Sequence, residues 1–186
     1  MLSKTWHSSP ERFALLLKAL SAVKLRGLFL EFGVADGTTI NLIAKNIDVT
    51  IHGFDSFLGL PEYWRDGIQA GTWSTNGKLP EVLPNVRLHP GWFHETVPQF
   101  AISQPEPIAF MHVDCDLYSS AKTVFESMGP MVVTGTVIVF DQYFNYPGWE
   151  KYEFKVFQEF VAERGCSYRY LGFAEPQGFS AAVIIS

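Results

Sequence analysis

Cysteine is scarce in this chain of 186 residues, with Cys115 and Cys166 the only two. Two cysteines without CxxC spacing make neither a disulfide framework nor a zinc site, so free thiols in a reducing, cytoplasmic compartment are expected. No stretch approaches the roughly 20 apolar residues of a membrane span. Positions 1–10 lack the apolar centre of a secretory signal. A soluble protein with no membrane partner follows. Basic residues are outnumbered, 14 against 19 acidic, for a net charge of -5, and they form no stripe. That balance argues against nucleic acid as a partner. Repeats of 20 to 50 residues, low-complexity tracts and long linkers are also missing, so a single domain over 1–186 is expected. A homo-oligomer stays open.

Apolar residues are plentiful: the hydrophobic fraction is 47% and there are 16 Phe. A chain of this size buries roughly 70% of its unfolded surface, enough for one large core. Ser9-Pro10-Glu11 reads as a helix start, ahead of apolar positions Phe13, Leu16, Leu17 and Leu20. Short apolar runs then predict strands at 27–32, 49–54, 85–89, 108–113, 136–140, 168–172 and 180–185. Helical patterns fall at 38–44, 95–100, 119–128 and 149–163. Strands that alternate with helices imply an α/β fold with a mostly parallel sheet. Only residues 173–179 separate the last two strands, too few for a crossover helix, so they should form an antiparallel hairpin. The segment 58–84, rich in Gly and Pro, predicts a long loop with room for one helical turn, and loops of that length are often functional.

Ligands of open α/β sheets sit beyond the carboxyl ends of the strands. Glu31-Phe-Gly-Val-Ala-Asp-Gly-Thr-Thr39 follows the first strand. There Gly33 and Gly37 would let a ligand approach the backbone, and the next helix would offer free N–H groups to an anion. The spacing is GxxxG and not the dinucleotide pattern GxGxxG, although an ordinary glycine-rich connection fits equally well. Asp55 ends the second strand, about 20 residues on, where an acid can accept both hydroxyls of a ribose. Trp92 and Phe93 after the third strand suit either the wall of an adenine site or the core. Asp114 and Asp116 end the fourth strand, Asp141 and Gln142 the fifth. On neighbouring strands about 4.8 Å apart, Asp114 and Asp141 would converge and call for a cation. An oxygen-rich set of this kind suits Mg²⁺ or another divalent cation, with Gln142 as a further ligand. Asp116 fits a general base or a helix cap. His112, inside the fourth strand, reads more readily as a satisfied core histidine than as a ligand. His52 and His89 carry no visible signal.

Five segments in this order resemble the macrocin O-methyltransferase (TylF-type) family of class I S-adenosylmethionine-dependent enzymes. They are 30–37 (LEFGVADG), 53–62 (GFDSFLGLPE), 91–98 (GWFHETVP), 112–120 (HVDCDLYSS) and 139–143 (VFDQY). The resemblance implies a Rossmann-like, seven-stranded, mostly parallel sheet whose C-terminal hairpin is antiparallel. It also implies metal-assisted methyl transfer from S-adenosyl-L-methionine to a hydroxyl of a sugar or other small-molecule natural product. Carried over by residue, Asp114, Asp141 and Gln142 take the metal positions and Asp116 the base. Glu31, Gly33, Asp36, Gly37, Thr38, Asp55, Ser56, Trp92 and Asp114 form the cofactor site, with Glu31 and Gly33 at its methionine end. Gln142 departs from the family, which commonly has an acid there, and the N-terminus looks short beside relatives that carry extra helices. A nicotinamide-dependent oxidoreductase and a non-catalytic cofactor-binding module are the rival readings.

Overall fold

Helix α1 (Pro10–Ala22) starts as its sequence requires. The Ser9 hydroxyl accepts the Arg12 amide at 3.3 Å, and Pro10 takes an early position where a missing N–H costs nothing. The computed structural model describes residues 9–65, 67–174 and 179–186. The expectations for 1–8 and for the hairpin turn at 175–178 lie outside the described residues. The buried stripe of α1 is Arg12, Leu15, Leu16 and Ala19, an i, i+3, i+4, i+7 row. This corrects the expected apolar face. Leu16 belongs to it, whereas Leu17 is exposed and Phe13 and Leu20 flank it. The helix turns its one arginine inward.

The chain then runs β1 (Leu28–Phe32), α2 (Thr38–Lys45), β2 (Ile51–Asp55), β3 (Val86–Pro90), α3 (Phe93–Ser103), β4 (Ile108–Val113) and α4 (Tyr118–Met128). It continues through β5 (Val137–Phe140), α5 (Glu153–Arg164), β6 (Tyr168–Phe173) and β7 (Ala181–Ile185). The seven strands lie in the order β3-β2-β1-β4-β5-β7-β6. Strands β1 to β5 pair in parallel, and β7 runs antiparallel to both β5 and β6. The predicted α/β class, the strand count and the antiparallel hairpin all hold. Among the described residues, the segment between β2 and β3 runs through a series of tight turns and shows no helix.

Alternation along the strands sorts side chains onto two faces. Leu30, Phe32, Met111, Val113, Ile138 and Phe140 join one core with residues of α3, α4 and α5. Phe110, Val137 and Val139 join a second with α1 and α2. Glu31, His112, Asp114 and Asp141 continue the rows of this second face. The sheet thus ends, beneath α1, in a layer of ionisable groups.

Candidate active site

Strand order reverses at β1, with β2 on one side and β4 on the other, and the chain ends splay apart there. Gly33 donates its amide to Phe54 at 3.0 Å, and Asp114 donates to Phe32 at 2.9 Å. Gly33 has φ 94°, and a Cβ on it would lie 1.8 Å from the Asp114 carbonyl oxygen. A Cβ on Gly37, at φ 82°, would meet Pro80 at 2.9 Å. Both glycines are therefore needed for one part of the chain to approach another. Asp55 holds the turn from the other side. Its Oδ2 accepts the amides of Val34 and Ala35, both at 2.8 Å, and Oδ1 accepts that of Phe57 at 2.7 Å. A carboxylate offers about four acceptor positions, so Asp55 keeps room for one hydroxyl and not the expected two.

Over these strand ends lies a cavity of about 810 Å³. Of the expected cofactor residues, Gly33, Asp36, Thr38, Asp55, Ser56, Trp92 and Asp114 line it, and Asp116 does so as well. Gly37 lies behind that wall as the left-handed residue before α2, while Asp36 accepts the Thr38 amide at 3.0 Å. Glu31, expected at the methionine end, is fully buried. It takes the Thr39 hydroxyl at 2.9 Å on one oxygen and meets His112 Nδ1 at 3.1 Å on the other. The long loop supplies the opposite wall through Leu60, Glu62, Thr72 and Trp73. It is anchored, with Leu60 and Trp64 packed against Leu117 and Tyr146. The Arg65 guanidinium stacks 4.3 Å from the Trp64 ring and 4.5 Å from that of Tyr146.

The acidic pole is where the sequence was least legible. Asp114 and Asp141 converge, as the β4–β5 register requires, and with His112 they place one ligand-type atom each within 4.8 Å of one another. A group of positive charge already bridges the two acids. Arg12 donates from Nη2 to Asp114 Oδ2 at 2.6 Å and from Nε to Asp141 Oδ1. Gln142 is fully buried, away from the cavity wall, and neither its amide oxygen nor its nitrogen has a hydrogen-bond partner among the described residues. Asp116 does not cap α4, whose preceding residue is Leu117 with no side-chain cap. It sits instead at φ 60°, in a tight turn closed by the Leu117 amide on the Cys115 carbonyl at 2.6 Å. Such a non-glycine conformation costs on the order of 1–3 kcal/mol and persists only where neighbours hold it. Glu153 holds this one. Its Oε1 accepts the Cys115 and Asp116 amides, both at 3.1 Å, and its Oε2 accepts that of Gln142 at 3.3 Å.

Burial sets the protonation of this pole. It raises Asp114 well above the usual carboxylate range, Asp141 adds repulsion, and Arg12 opposes both. Burial and Asp141 likewise push Asp116 up to about 7 against Arg65 and Arg12. Burial also raises Glu153, with Asp116 and Asp114 adding to it. His112 is pulled down by burial, but the hydrogen bond and charge of Glu31 outweigh that and raise it. A carboxyl near 7, with its Oδ1 buried and without a hydrogen-bond partner among the described residues, is equipped to take a proton from a hydroxyl.

A family model described as a methyltransferase domain matches residues 30–143, well over half the chain. The chain belongs to the methyltransferase domain family. Among solved structures, the fold is similar to that of the calicheamicin methyltransferase CalS11, with a TM-score of 0.71 and 24% identity over 93% of this chain and 76% of that one. The O-methyltransferase NovP matches at TM-score 0.66 and 21% identity, over 94% and 79% of the two chains. An O-methyltransferase from Bacillus cereus, solved with S-adenosylhomocysteine, matches at 0.57 and 18%, over 95% and 81%. At these identities the likeness is one of fold. No curated protein matches in sequence. The family segment runs from the middle of β1 to Tyr143, so it holds the strand-end residues of the methyltransferase cavity. Arg12 and Glu153 lie outside it. Neither was singled out from the sequence. For Arg12 a signal existed, since it stands three and four residues before Leu15 and Leu16, on their stripe.

Proposed function

We propose that this methyltransferase transfers a methyl group from S-adenosyl-L-methionine to a hydroxyl of a sugar or another small-molecule natural product. The observation that carries the reading is Asp116. It is a buried carboxylate on the cavity wall, held in a strained turn next to the Gly33 and Asp55 end of the same cavity. CalS11 is described as a TDP-rhamnose 3'-O-methyltransferase and NovP as an O-methyltransferase, and both share this fold.

The cavity fits the cofactor: Asp55 retains an acceptor position for a ribose hydroxyl, Ser56 and Trp92 flank it, and the turn before α2 faces the same space. When bound, S-adenosyl-L-methionine supplies a methyl on a sulfonium. The chain's own work is alignment and proton removal. Walls contributed by four strand ends and the 58–84 loop hold the acceptor in line, which can supply several kcal/mol. Asp116 accepts the hydroxyl proton as the oxygen becomes nucleophilic. Arg12 balances Asp114 and Asp141, so that Asp116 faces less negative charge than two bare acids would impose. With the guanidinium on both acids, the Asp114–Asp141 pair as it stands does not fit a divalent cation, and no step is assigned to one.

Calorimetry with S-adenosylhomocysteine, followed by transfer of labelled methyl to a panel of hydroxylated sugars, tests the reading. Asp116→Asn should bind S-adenosylhomocysteine as the unchanged protein does and lose transfer by about 10²-fold or more. Binding of a nicotinamide dinucleotide without binding of S-adenosylhomocysteine would overturn it.

A further inference from the structure

We propose that Arg12 is the resident cation of the acidic pole, and that it excludes a divalent metal ion from the Asp114–Asp141 pair. Two buried carboxylates side by side repel unless positive charge lies between them. Here one side chain provides it, with two different guanidinium nitrogens on the two acids. The planar fork of arginine suits such bridging, and it stays charged when buried. Arg12 is 5% exposed and Asp141 is fully enclosed. The guanidinium is no chance surface contact, because α1 directs its whole buried stripe at this face, and Leu15, Leu16 and Ala19 anchor it in the core beneath.

Three further features agree. The strand rows place His112 in the same layer, but its Nδ1 is committed to Glu31. Gln142 is neutral and off the cavity wall, so it supplies no charge to hold a cation against Arg12. Asp141 is also tied down through its backbone, since the Ser180 hydroxyl donates to its carbonyl at 2.9 Å. An ion could take both acids only by expelling a guanidinium that is already desolvated among them. Arg12 is thus a positioning residue, fixing both carboxylates and the charge that Asp116 feels.

The inference rests on the methyl-transfer reading only for its consequence, and it is tested without turnover. Mn²⁺ is titrated into the full chain and free ion followed by electron paramagnetic resonance. The unchanged protein should show no saturable site up to millimolar Mn²⁺, and its melting temperature should not respond to Mg²⁺ or to EDTA. Arg12→Ala should acquire one saturable Mn²⁺ site, at least tenfold tighter than any residual binding of the parent. The double change Arg12→Ala, Asp141→Asn should lose it again. Should Arg12→Ala not fold, Arg12→Met keeps the apolar stem and carries the same expectation. Stoichiometric Mn²⁺ binding by the unchanged protein, or a folded Arg12 variant that gains none, overturns the proposal. Calorimetry with S-adenosylhomocysteine reads the cofactor half separately, so a failed cofactor reading and a failed Arg12 reading give different results.

Discussion

Glu153 shows how one side chain can fix the turn that carries a candidate catalytic residue. Its carboxylate collects the amides of Cys115, Asp116 and Gln142, which leave two different strands at the point where neither strand can pair them. Glu153→Ala strands three buried donors, each worth on the order of 1–3 kcal/mol when unsatisfied. Urea denaturation should show a loss of roughly 3 kcal/mol or more, and Glu153→Gln, which keeps one acceptor, should fall between. A variant as stable as the parent would show that these contacts are dispensable. The same scale explains the limits of sequence reading. The place of Asp55 at the end of β2, on the cavity wall, was legible in the sequence, but its three amide partners were not. They depend on where the Gly33 turn lies in space. Asp116 was recognisable as a candidate base, while its left-handed turn had no signature, since Asp-Leu-Tyr is compatible with strand, cap or turn.

Elements were more readable than contacts. Strands β1, β4 and β5 are short apolar runs bounded by Gly, Pro or Asp, and the observed ends of all seven strands differ from the expected ones by two residues at most. The hairpin of β6 and β7 followed from connection length alone. Helix α5 was placed, although a 3₁₀ turn (Trp149–Lys151) precedes it where continuous helix was expected. The direction of α1 was the main error, because apolar residues occur on more than one of its sides and only tertiary packing chooses between them. The outer edge of the sheet held another unread feature. His52 on β2 and His89 on β3 meet Nδ1 to Nε2 at 3.0 Å, against Phe100 of α3. Burial lowers both, His52 to about 4, with His89 and Arg87 adding to its shift. A histidine lowered on folding stabilises fully above its unfolded value near 6.5, and that contribution is lost as pH falls toward 4. Stability of this edge should therefore decline between pH 6.5 and 4. In His52→Phe the decline should be shallower than in the parent when both are unfolded by urea at pH 7.5 and pH 5. Equal slopes would remove the pair from the account.

At the scale of the whole molecule, the cavity gathers four parallel strand ends and one long loop, so a ligand filling it ties the two halves of the sheet together. A ligand that binds only the native state stabilises by about 2.7 kcal/mol at a hundredfold excess over Kd. For a domain of this size that is a rise in Tm of about 5–11 °C. S-adenosylhomocysteine should produce such a rise and NAD none, as followed by differential scanning fluorimetry. Among the described residues no helix is long and apolar enough to cross a membrane. The place of β7 has a further consequence, one that concerns synthesis. Because β7 lies between β5 and β6, the run Val137-Ile-Val-Phe140 has an open edge until β7 has been made. The 41 positions from Phe140 to Ala181 take a ribosome about 2–8 s. During that interval the uncharged β5 edge has no strand beside it, and Asp141 has not yet met Ser180. The half of the sheet that ends at β5 is thus completed by the last strand to be made, and β6 has no partner in the sheet before then.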